Sequence, residues 1–297
     1  MKVVIAGGSV AAFESALKFR KTFPEAEIVL LTEEKVYPYR RPGLPSFIAQ
    51  MTDDPSKLWI RPSDFYAENH LDIRFECKVT AVCPSKKQVV VNDSETVSYD
   101  RLVLATGGRA WIPPIPGAEM YPPMVLRTLD DAMCIRQKIA DGAASAVVIG
   151  GGVLGVELAE ALEKRGLSVS IIETADRLRC RDFTEEQSAQ LLEKITASGK
   201  IRVFTSAKII RIEAGAVILD GVDPLSGDMI LCTAGSRPDL AYLENSGVEI
   251  RKAVVVSPAM HTNIPGVYAC GDAAELDGNV CGLFITARKM ALALETL

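Results

Sequence analysis

Read for the spacing of its apolar positions, the chain opens on a short apolar run, Lys2–Ala6, which meets Gly7-Gly8 and then a stretch from about residue 11 to residue 22 with helical spacing. A second apolar run, Glu27–Leu31, follows and ends in Thr32-Glu33-Glu34. Strand, glycine turn, helix and strand in that order predict the start of a doubly wound α/β domain. Residues 37–45, Tyr-Pro-Tyr-Arg-Arg-Pro-Gly-Leu-Pro, suit neither periodicity and predict a shaped loop, because proline excludes a continuing helix or a central strand. Between residues 71 and 92 apolar positions alternate (Ile73, Phe75, Val79, Val82, Val89, Val91), as in antiparallel strands, before an apolar strand at Leu102–Ala105.

The stiff, proline-rich segment 111–117 has the composition of a domain boundary. The pattern then restarts: a strand at Ala146–Ile149, the run Gly150-Gly-Gly-Val-Leu-Gly155, a helix to about Arg165, and a strand Ser168–Ile172 ending in Glu173. Strand-like segments at 201–204, 216–219 and 229–233 lead to Val267-Tyr-Ala-Cys-Gly-Asp272, which returns to the style of the first domain. The predicted fold class is α/β with two Rossmann-like dinucleotide-binding domains, one (113–249) inserted in the other (1–112 and 250–297).

Composition supports this division. The 297 residues, 48% apolar and 24% charged, are enough for two ordinary domains, and the formal charge of −5 gives no reason to expect nucleic acid as a partner. The apolar stretch 143–162 is interrupted by three glycines, Glu157 and Glu160, so no membrane span is expected. The N-terminus enters a strand at once, without the pattern of a secretory signal. The seven cysteines, at 77, 83, 134, 180, 232, 270 and 281, contain no Cys-x-x-Cys, which fits a reduced, cytoplasmic compartment. With His70 and His261 as the two histidines and no ligand spacing around them, no metal site is expected.

The two glycine turns carry the candidate chemistry. Gly150-x-Gly152-x-x-Gly155 meets each position of the dinucleotide fingerprint: the first glycine for the tight turn, the second for close approach of backbone to pyrophosphate, the third for helix–strand packing. Glu173 lies 173 − 152 = 21 residues past the middle glycine, where a carboxylate accepts from an adenosine ribose and repels a 2′-phosphate. This predicts NADH, with NADPH disfavoured. The first turn, aligned as Ala6-Gly7-Gly8-Ser9-Val10-Ala11, has alanine at the first and last glycine positions, with Gly7 supplying flexibility and Gly8 at the close-approach position. Glu33, or its neighbour Glu34, is its ribose acid. The bland alternative for this turn is an ordinary βα connection.

Four motifs in order, the first turn with Glu33, Tyr99-Asp-Arg-Leu-Val-Leu-Ala-Thr-Gly107, Gly150-Gly-Gly-Val-Leu-Gly-Val-Glu157, and Thr262-Asn-Ile-Pro-Gly-Val-Tyr-Ala-Cys-Gly-Asp272, give the chain a resemblance to the two-dinucleotide flavoproteins related to glutathione reductase. Within that superfamily Tyr39-Arg-Arg-Pro-Gly-Leu-Pro45 is similar to a loop of NADH:rubredoxin oxidoreductases, ferredoxin reductases and the flavin module of nitrite reductases. The resemblance implies FAD in the first domain and NADH in the second. It places Gly7, Gly8, Val10 and Ala11 at the FAD pyrophosphate, Arg41 on its phosphates, Pro42 beside the flavin and Val79 at the adenine. Ala105, Thr106 and Gly107 fall along the pyrophosphate edge, Gly271 and Asp272 at the ribityl chain, and Thr286 and Ala287 at a helix start facing the flavin. In the second domain it places Val153, Leu154 and Gly235 at the nicotinamide cofactor, and Glu157, the candidate catalytic residue, on the carboxamide.

Departures from the family bear on the reaction. No cysteine pair is present, and Pro42 stands where some relatives carry a redox cysteine. Ser46 replaces a lysine common beside the flavin, and Val153 an aromatic lid. Relatives continue for about another hundred residues, a further domain of typical size, so the expectation is that this chain lacks that domain. The implied function is hydride transfer from NADH to FAD, then electron transfer to a redox-protein acceptor (rubredoxin, ferredoxin or a partner subunit) without a redox-active cysteine. The alternatives are reduction of a small molecule or oxygen, an NADH-responsive sensor or assembly subunit, and an NAD-binding protein without flavin.

Overall fold

The computed structural model describes residues 1–50 and 54–296. The chain forms two compact units: Met1–Arg41 with Ser56–Arg109 and Arg237–Leu297, and Pro42–Pro55 with Ala110–Ser236. The described helices are α1 (Val10–Thr22), α2 (Leu44–Ala49), α3 (Asp64–Glu68), α4 (Leu129–Ala140), α5 (Val153–Lys164), α6 (Glu185–Thr196) and α7 (Phe284–Ala293).

In the first unit five parallel strands lie in the order Val267–Ala269, Arg101–Leu104, Lys2–Ala6, Glu27–Leu31, Leu71–Arg74. Lys2–Ala6 is the middle strand, and Val3, Val4, Ile5 and Ala6 have no exposed surface. Burial on both faces is why this run is continuously apolar rather than alternating. Helices α1 and α7 pack together, and Phe13, Ala16 and Phe19 of α1 and Met290 and Ala291 of α7 join the same core. A side sheet of three antiparallel strands, Val79–Cys83, Gln88–Val91 and Glu95–Ser98, adds Val82, Val89, Val91 and Val97.

In the second unit five strands, all parallel, lie in the order Ile201–Phe204, Ser168–Ile172, Ser145–Ile149, Met229–Cys232, Met124–Val125. Its middle strand is again the one that feeds the glycine turn. An antiparallel sheet, Ile209–Glu213, Ala216–Leu219 and Leu225–Ser226, stands beside it and shares a core of Ile212, Val217, Leu219 and Leu225 with Val147 and Ile149.

Several expectations need correction. Residues 71–74 alternate because they form the half-buried edge of the parallel sheet, not an antiparallel strand. The proline-rich loop ends in a 3₁₀ turn, Arg41–Gly43, and then in α2, whose Pro45 sits in the first turn, where a missing N–H costs nothing. The compact units change over at 109/110 and 236/237 rather than at 112/113 and 249/250, because Tyr242, Leu243 and Val248 belong to the first core. Residues 42–55 group with the second unit, where α2 packs on α4 and α5. Helices α4 and α6 escaped the apolar pattern although each opens with a legible capping box, Thr128 with Asp131 and Thr184 with Gln187. Among the described residues no helix is long and apolar enough to cross a membrane.

Candidate functional sites

In the first unit the strand Lys2–Ala6 stops at Ala6, and the turn begins at Gly7, not Ala6. Gly7 has φ +133°, its N–H donates to Leu31 O at 2.8 Å, and a Cβ there would lie 2.1 Å from Ala105 O. The fingerprint register is therefore Gly7-x-Ser9-x-x-Ala12, one residue later than expected. Ser9 is the helix N-cap and holds the close-approach position assigned above to Gly8, and Ala12, not Ala11, the packing position. Gly8 is required for another reason, since its Cβ would fall 2.2 Å from Thr32 Oγ1. The first α1 hydrogen bond runs from Phe13 N–H to Ser9 O at 2.9 Å, so the N–H groups of Val10, Ala11 and Ala12 have no partner within the helix. Those groups and the positive end of the helix dipole make an anion-binding end.

A groove extends from this turn. Ala6, Gly7, Gly8, Thr106, Glu33, Glu34, Arg41, Lys78, Val79 and Tyr242 are among the residues that line it. Glu34 accepts from Tyr39 Oη at 2.8 Å and from Arg41 at 2.6 Å. Glu33 is exposed on the groove wall, and among the described residues its carboxylate has no hydrogen bond to the protein. Of the two acids, Glu34 is spent on Arg41 and Glu33 is left able to accept from a hydroxyl. Burial opposes the Arg41 charge, but Tyr39, Glu34 and Asp272 outweigh it and hold the guanidinium above its ordinary pKa.

Val79 is buried and pairs with Val91, next to a bulge in that ladder. Ala105 is buried, and its N–H donates to Ala6 O at 2.8 Å. Thr106 Oγ1 and Tyr242 Oη lie 3.1 Å apart, a pairing for which the sequence carries no local signal. Gly107 directly follows. Gly271 and Asp272 form a 3₁₀ turn after the strand Val267–Ala269, and Asp272 also hydrogen-bonds Cys281. Helix α7 begins at Phe284, two residues before its expected start, and its first hydrogen bond runs from Ala287 N–H to Leu283 O at 2.9 Å. Thr286 is exposed in that first turn and Ala287 is buried. Pro42 is exposed and falls in the segment that groups with the second unit.

The second turn keeps the expected register. Gly150 has φ +112° and donates to Ile172 O at 2.8 Å. Gly152 is the N-cap of α5, and a Cβ there would meet nothing within 4 Å, so the backbone faces open space. At Gly155 a Cβ would lie 1.8 Å from Gly150 O, which admits no side chain. Val153 is 38% exposed at the helix start, and Leu154 follows half-buried. Glu173 sits directly after the strand Ser168–Ile172 and accepts from Gly151 N–H at 2.7 Å and Ala175 N–H at 2.8 Å. Leu178, which the sequence reading passed over, packs against Gly151 from the following loop. Gly235 accepts from Trp111 N–H at 2.9 Å.

Glu157 is exposed one turn into α5. Partial desolvation raises its carboxyl pKa, Arg179 opposes that, and Glu160 adds to it. Among the described residues no three His, Cys, Asp or Glu side chains gather as a metal-ligand set.

A family profile described as pyridine nucleotide-disulphide oxidoreductase matches residues 1–291. The chain is 33% identical over 276 residues to the epsilon subunit of an NADH-dependent phenylglyoxylate dehydrogenase from Aromatoleum evansii, covering 92% of this chain and 65% of that protein. It is 30% identical over 279 residues to a rubredoxin-NAD(+) reductase from Pseudomonas putida, covering 92% and 72%. A covalent putidaredoxin reductase–putidaredoxin complex superposes with a TM-score of 0.89 at 28% identity, covering 99% of this chain and 74% of the matched one. The chain thus spans about two thirds of the length of the curated relatives it matches, between 65% and 72% for these two.

Proposed function

Since the chain belongs to the pyridine nucleotide-disulphide oxidoreductase family, we propose that it binds FAD in its first unit and NADH in its second, and passes electrons from NADH through the flavin to a redox protein or partner subunit. The observation that carries this reading is the groove of the first unit. It joins an anion-binding helix start at Gly7, a free hydroxyl-accepting carboxylate at Glu33 and a charged arginine at Arg41, the chemistry that an adenosine, ribose and pyrophosphate present in sequence.

The residues divide the work by their chemistry. The N–H groups of Val10, Ala11 and Ala12 face the pyrophosphate, and Arg41 balances its charge, itself braced by Glu34 at 2.6 Å. Glu33 takes the ribose hydroxyls, Val79 offers its backbone to the adenine, and Ala105, Thr106 and Gly107 hold the pyrophosphate edge. Gly271 and Asp272 stand at the ribityl chain, where an ionised carboxylate accepts from a hydroxyl. The unpaired N–H groups at the start of α7, by Thr286 and Ala287, favour negative charge. In the second unit Gly150, Gly152, Val153, Leu154, Gly155 and Gly235 would form the nicotinamide-cofactor site, Gly155 by letting α5 close on the turn, while Glu173 would read the ribose and Glu157 would orient the carboxamide. Bound FAD supplies two-electron acceptance from NADH and onward release of electrons.

A redox-protein acceptor suits the chain better than a disulfide, because the sequence holds no Cys-x-x-Cys and four of the seven thiols are held in the protonated form. Burial pushes the Cys270 thiol up to about 12 and the Cys281 thiol up to about 11, and raises Cys77 and Cys232 as well. Such thiols stay protonated and unreactive at neutral pH. A partner subunit is a specific form of the acceptor, because one relative of similar sequence is itself named as a subunit of a larger dehydrogenase.

Purified chain reconstituted with FAD and titrated anaerobically with NADH tests the reading. Loss of the flavin's visible bands on NADH addition, and their return when a rubredoxin or ferredoxin is added, is the expected result. A flavin that stays oxidised for minutes under excess NADH overturns it.

A further inference from the structure

The first unit buries a phenol whose hydroxyl its packing does not explain. Tyr242 stands on a 3₁₀ turn, Ala241–Leu243, which packs against the strand Val79–Cys83, and its ring joins the same core as Val79, Val82 and Leu243. A phenylalanine ring of the same shape would serve that packing. The hydroxyl instead reaches Thr106 Oγ1, 136 positions away in the sequence, at 3.1 Å, and both residues line the groove. Burial raises the Tyr242 pKa, so the phenol keeps its proton at neutral pH.

Neither partner waits for a ligand to be placed. The turn that carries Tyr242 is set by its own hydrogen bonds: Leu243 N–H donates to Leu240 O at 2.9 Å, Glu244 N–H to Ala241 O at 3.1 Å, and Ser246 Oγ to Leu243 O at 2.7 Å. Thr106 abuts the anion-binding turn, since a Cβ on Gly7 would lie 3.2 Å from its backbone nitrogen.

The pair has two possible directions. Each hydroxyl has one proton to donate, and among the described residues Tyr242 is the hydrogen-bond partner of Thr106 Oγ1. When Thr106 donates, its proton is used up and its lone pairs are what remain for the groove, which repels an anion. When Tyr242 donates, Thr106 accepts, and its own proton is left to point into the groove. The phenol is the more acidic hydroxyl and the better donor. An anion in the groove selects this second arrangement, in which the two successive bonds also strengthen one another.

We propose that Tyr242 is a positioning residue of the flavin site, whose hydroxyl donates to Thr106 Oγ1 and so turns the Thr106 proton toward the FAD pyrophosphate. The proposal rests on the reading of that groove as the FAD site. It gives Tyr242 a function through Thr106, without contact with the cofactor.

The test uses the full chain with Tyr242→Phe, Thr106→Val, the two combined, and Thr106→Ser, measuring FAD and NADH dissociation constants for each. Tyr242→Phe keeps the ring and is expected to weaken FAD about fivefold, and Thr106→Val, which removes the donor, about twentyfold. The double variant should match Thr106→Val at about twentyfold, because the phenol acts only through that hydroxyl, whereas independent effects would multiply to about a hundredfold. Thr106→Ser keeps a hydroxyl and should stay within about threefold of the wild type, with NADH affinity within about twofold throughout. Unchanged FAD affinity in Tyr242→Phe, a double variant near about a hundredfold, or a loss of NADH affinity equal to that of FAD overturns the proposal. If Thr106→Val, which strands a buried phenol, does not fold, Tyr242→Phe alone decides. If the wild-type chain binds no FAD, the reading of the groove falls and this proposal with it. If the wild type binds FAD and Tyr242→Phe binds it equally well, this proposal alone falls.

Discussion

The two glycine turns are built on one backbone and finished with different residues. Both place a positive-φ glycine directly after the middle strand, φ +133° at Gly7 and +112° at Gly150, with its N–H bonded at 2.8 Å to the last residue of the neighbouring strand. In both, neighbours exclude a side chain at the second glycine, Thr32 at Gly8 and Leu178 with Glu173 at Gly151. They part at the third position, Ser9 against Gly152, and at the sixth, Ala12 against Gly155. Positions one and two are fixed by the protein's own backbone and neighbours. The third faces outward, where the ligand decides, and it is there that the first turn departs from the fingerprint.

One turn into each helix stands a glutamate at the same register, Glu14 in α1 and Glu157 in α5. Glu14 is 9% exposed and pairs with Arg288 at 2.7 Å, so it serves the packing of α1 on α7. Glu157 is exposed, which leaves it available to a ligand. Equivalent positions in a repeated architecture thus carry different duties, set by what packs over them.

The largest effect is expected where the comparison says the backbone is in control. Gly7→Ala brings a methyl group within 2.1 Å of Ala105 O, against 3.0 Å to Thr233 atoms for Gly150→Ala. The first should cost about 3 kcal/mol and the second about 1–2 kcal/mol, from strain at positive φ plus overlap. Denaturant unfolding of the two variants checks this, and equal losses would break the distinction drawn between the turns.

Next comes Arg41→Ala, which leaves Glu34 half-buried without its cation. FAD affinity should fall by about 2 kcal/mol, roughly thirtyfold, with NADH affinity unchanged. Fluorescence titration of the apoprotein reads both. An unchanged FAD affinity would remove Arg41 from the site.

A reciprocal exchange sharpens the claim about the third position. Gly152→Ser puts a side chain into open space beside the turn and should raise the NADH dissociation constant about tenfold, while Ser9→Gly should alter FAD affinity by less than about threefold. If both exchanges act equally, ligand approach does not explain the difference between the turns.

The smallest effect concerns Glu157. Its pKa in the folded chain is raised, so the stability it contributes is fully present below the unfolded carboxylate pKa and is lost as pH rises through the folded value. Glu157→Gln should therefore gain a little melting temperature at about pH 7 and nothing at about pH 3, with solvent screening keeping the difference below about 0.5 kcal/mol. A loss at neutral pH would contradict the sign.

Much of the fold was legible because its signals are local. The strands Lys2–Ala6, Glu27–Leu31 and Ser168–Ile172 read directly as apolar runs, as does α5 as a helix closing near Arg165. The one-residue slip in the first turn arose because Ala6-Gly7-Gly8 offers two registers, and only the end of the strand and the positive φ of Gly7 choose between them. The strand Leu71–Arg74 read as antiparallel because an edge strand of a parallel sheet has the same half-buried alternation. Helix α2 was hidden by Pro45, which occupies the one helical turn able to accept it.

The sequence by itself determined the two βαβ openings, the inserted order of the domains and the acids that follow each second strand, because those depend on periodicity and on residues within one turn of each other. Only the tertiary structure shows that Arg41 and Tyr39 claim Glu34, while the Glu33 carboxylate has no hydrogen bond to the protein among the described residues. It also decided that Thr106 meets Tyr242, and that residues 42–50 are held by Arg136 and Arg165. Those contacts join residues more than eighty positions apart or depend on which side chain wins a shared partner, and no local pattern encodes either.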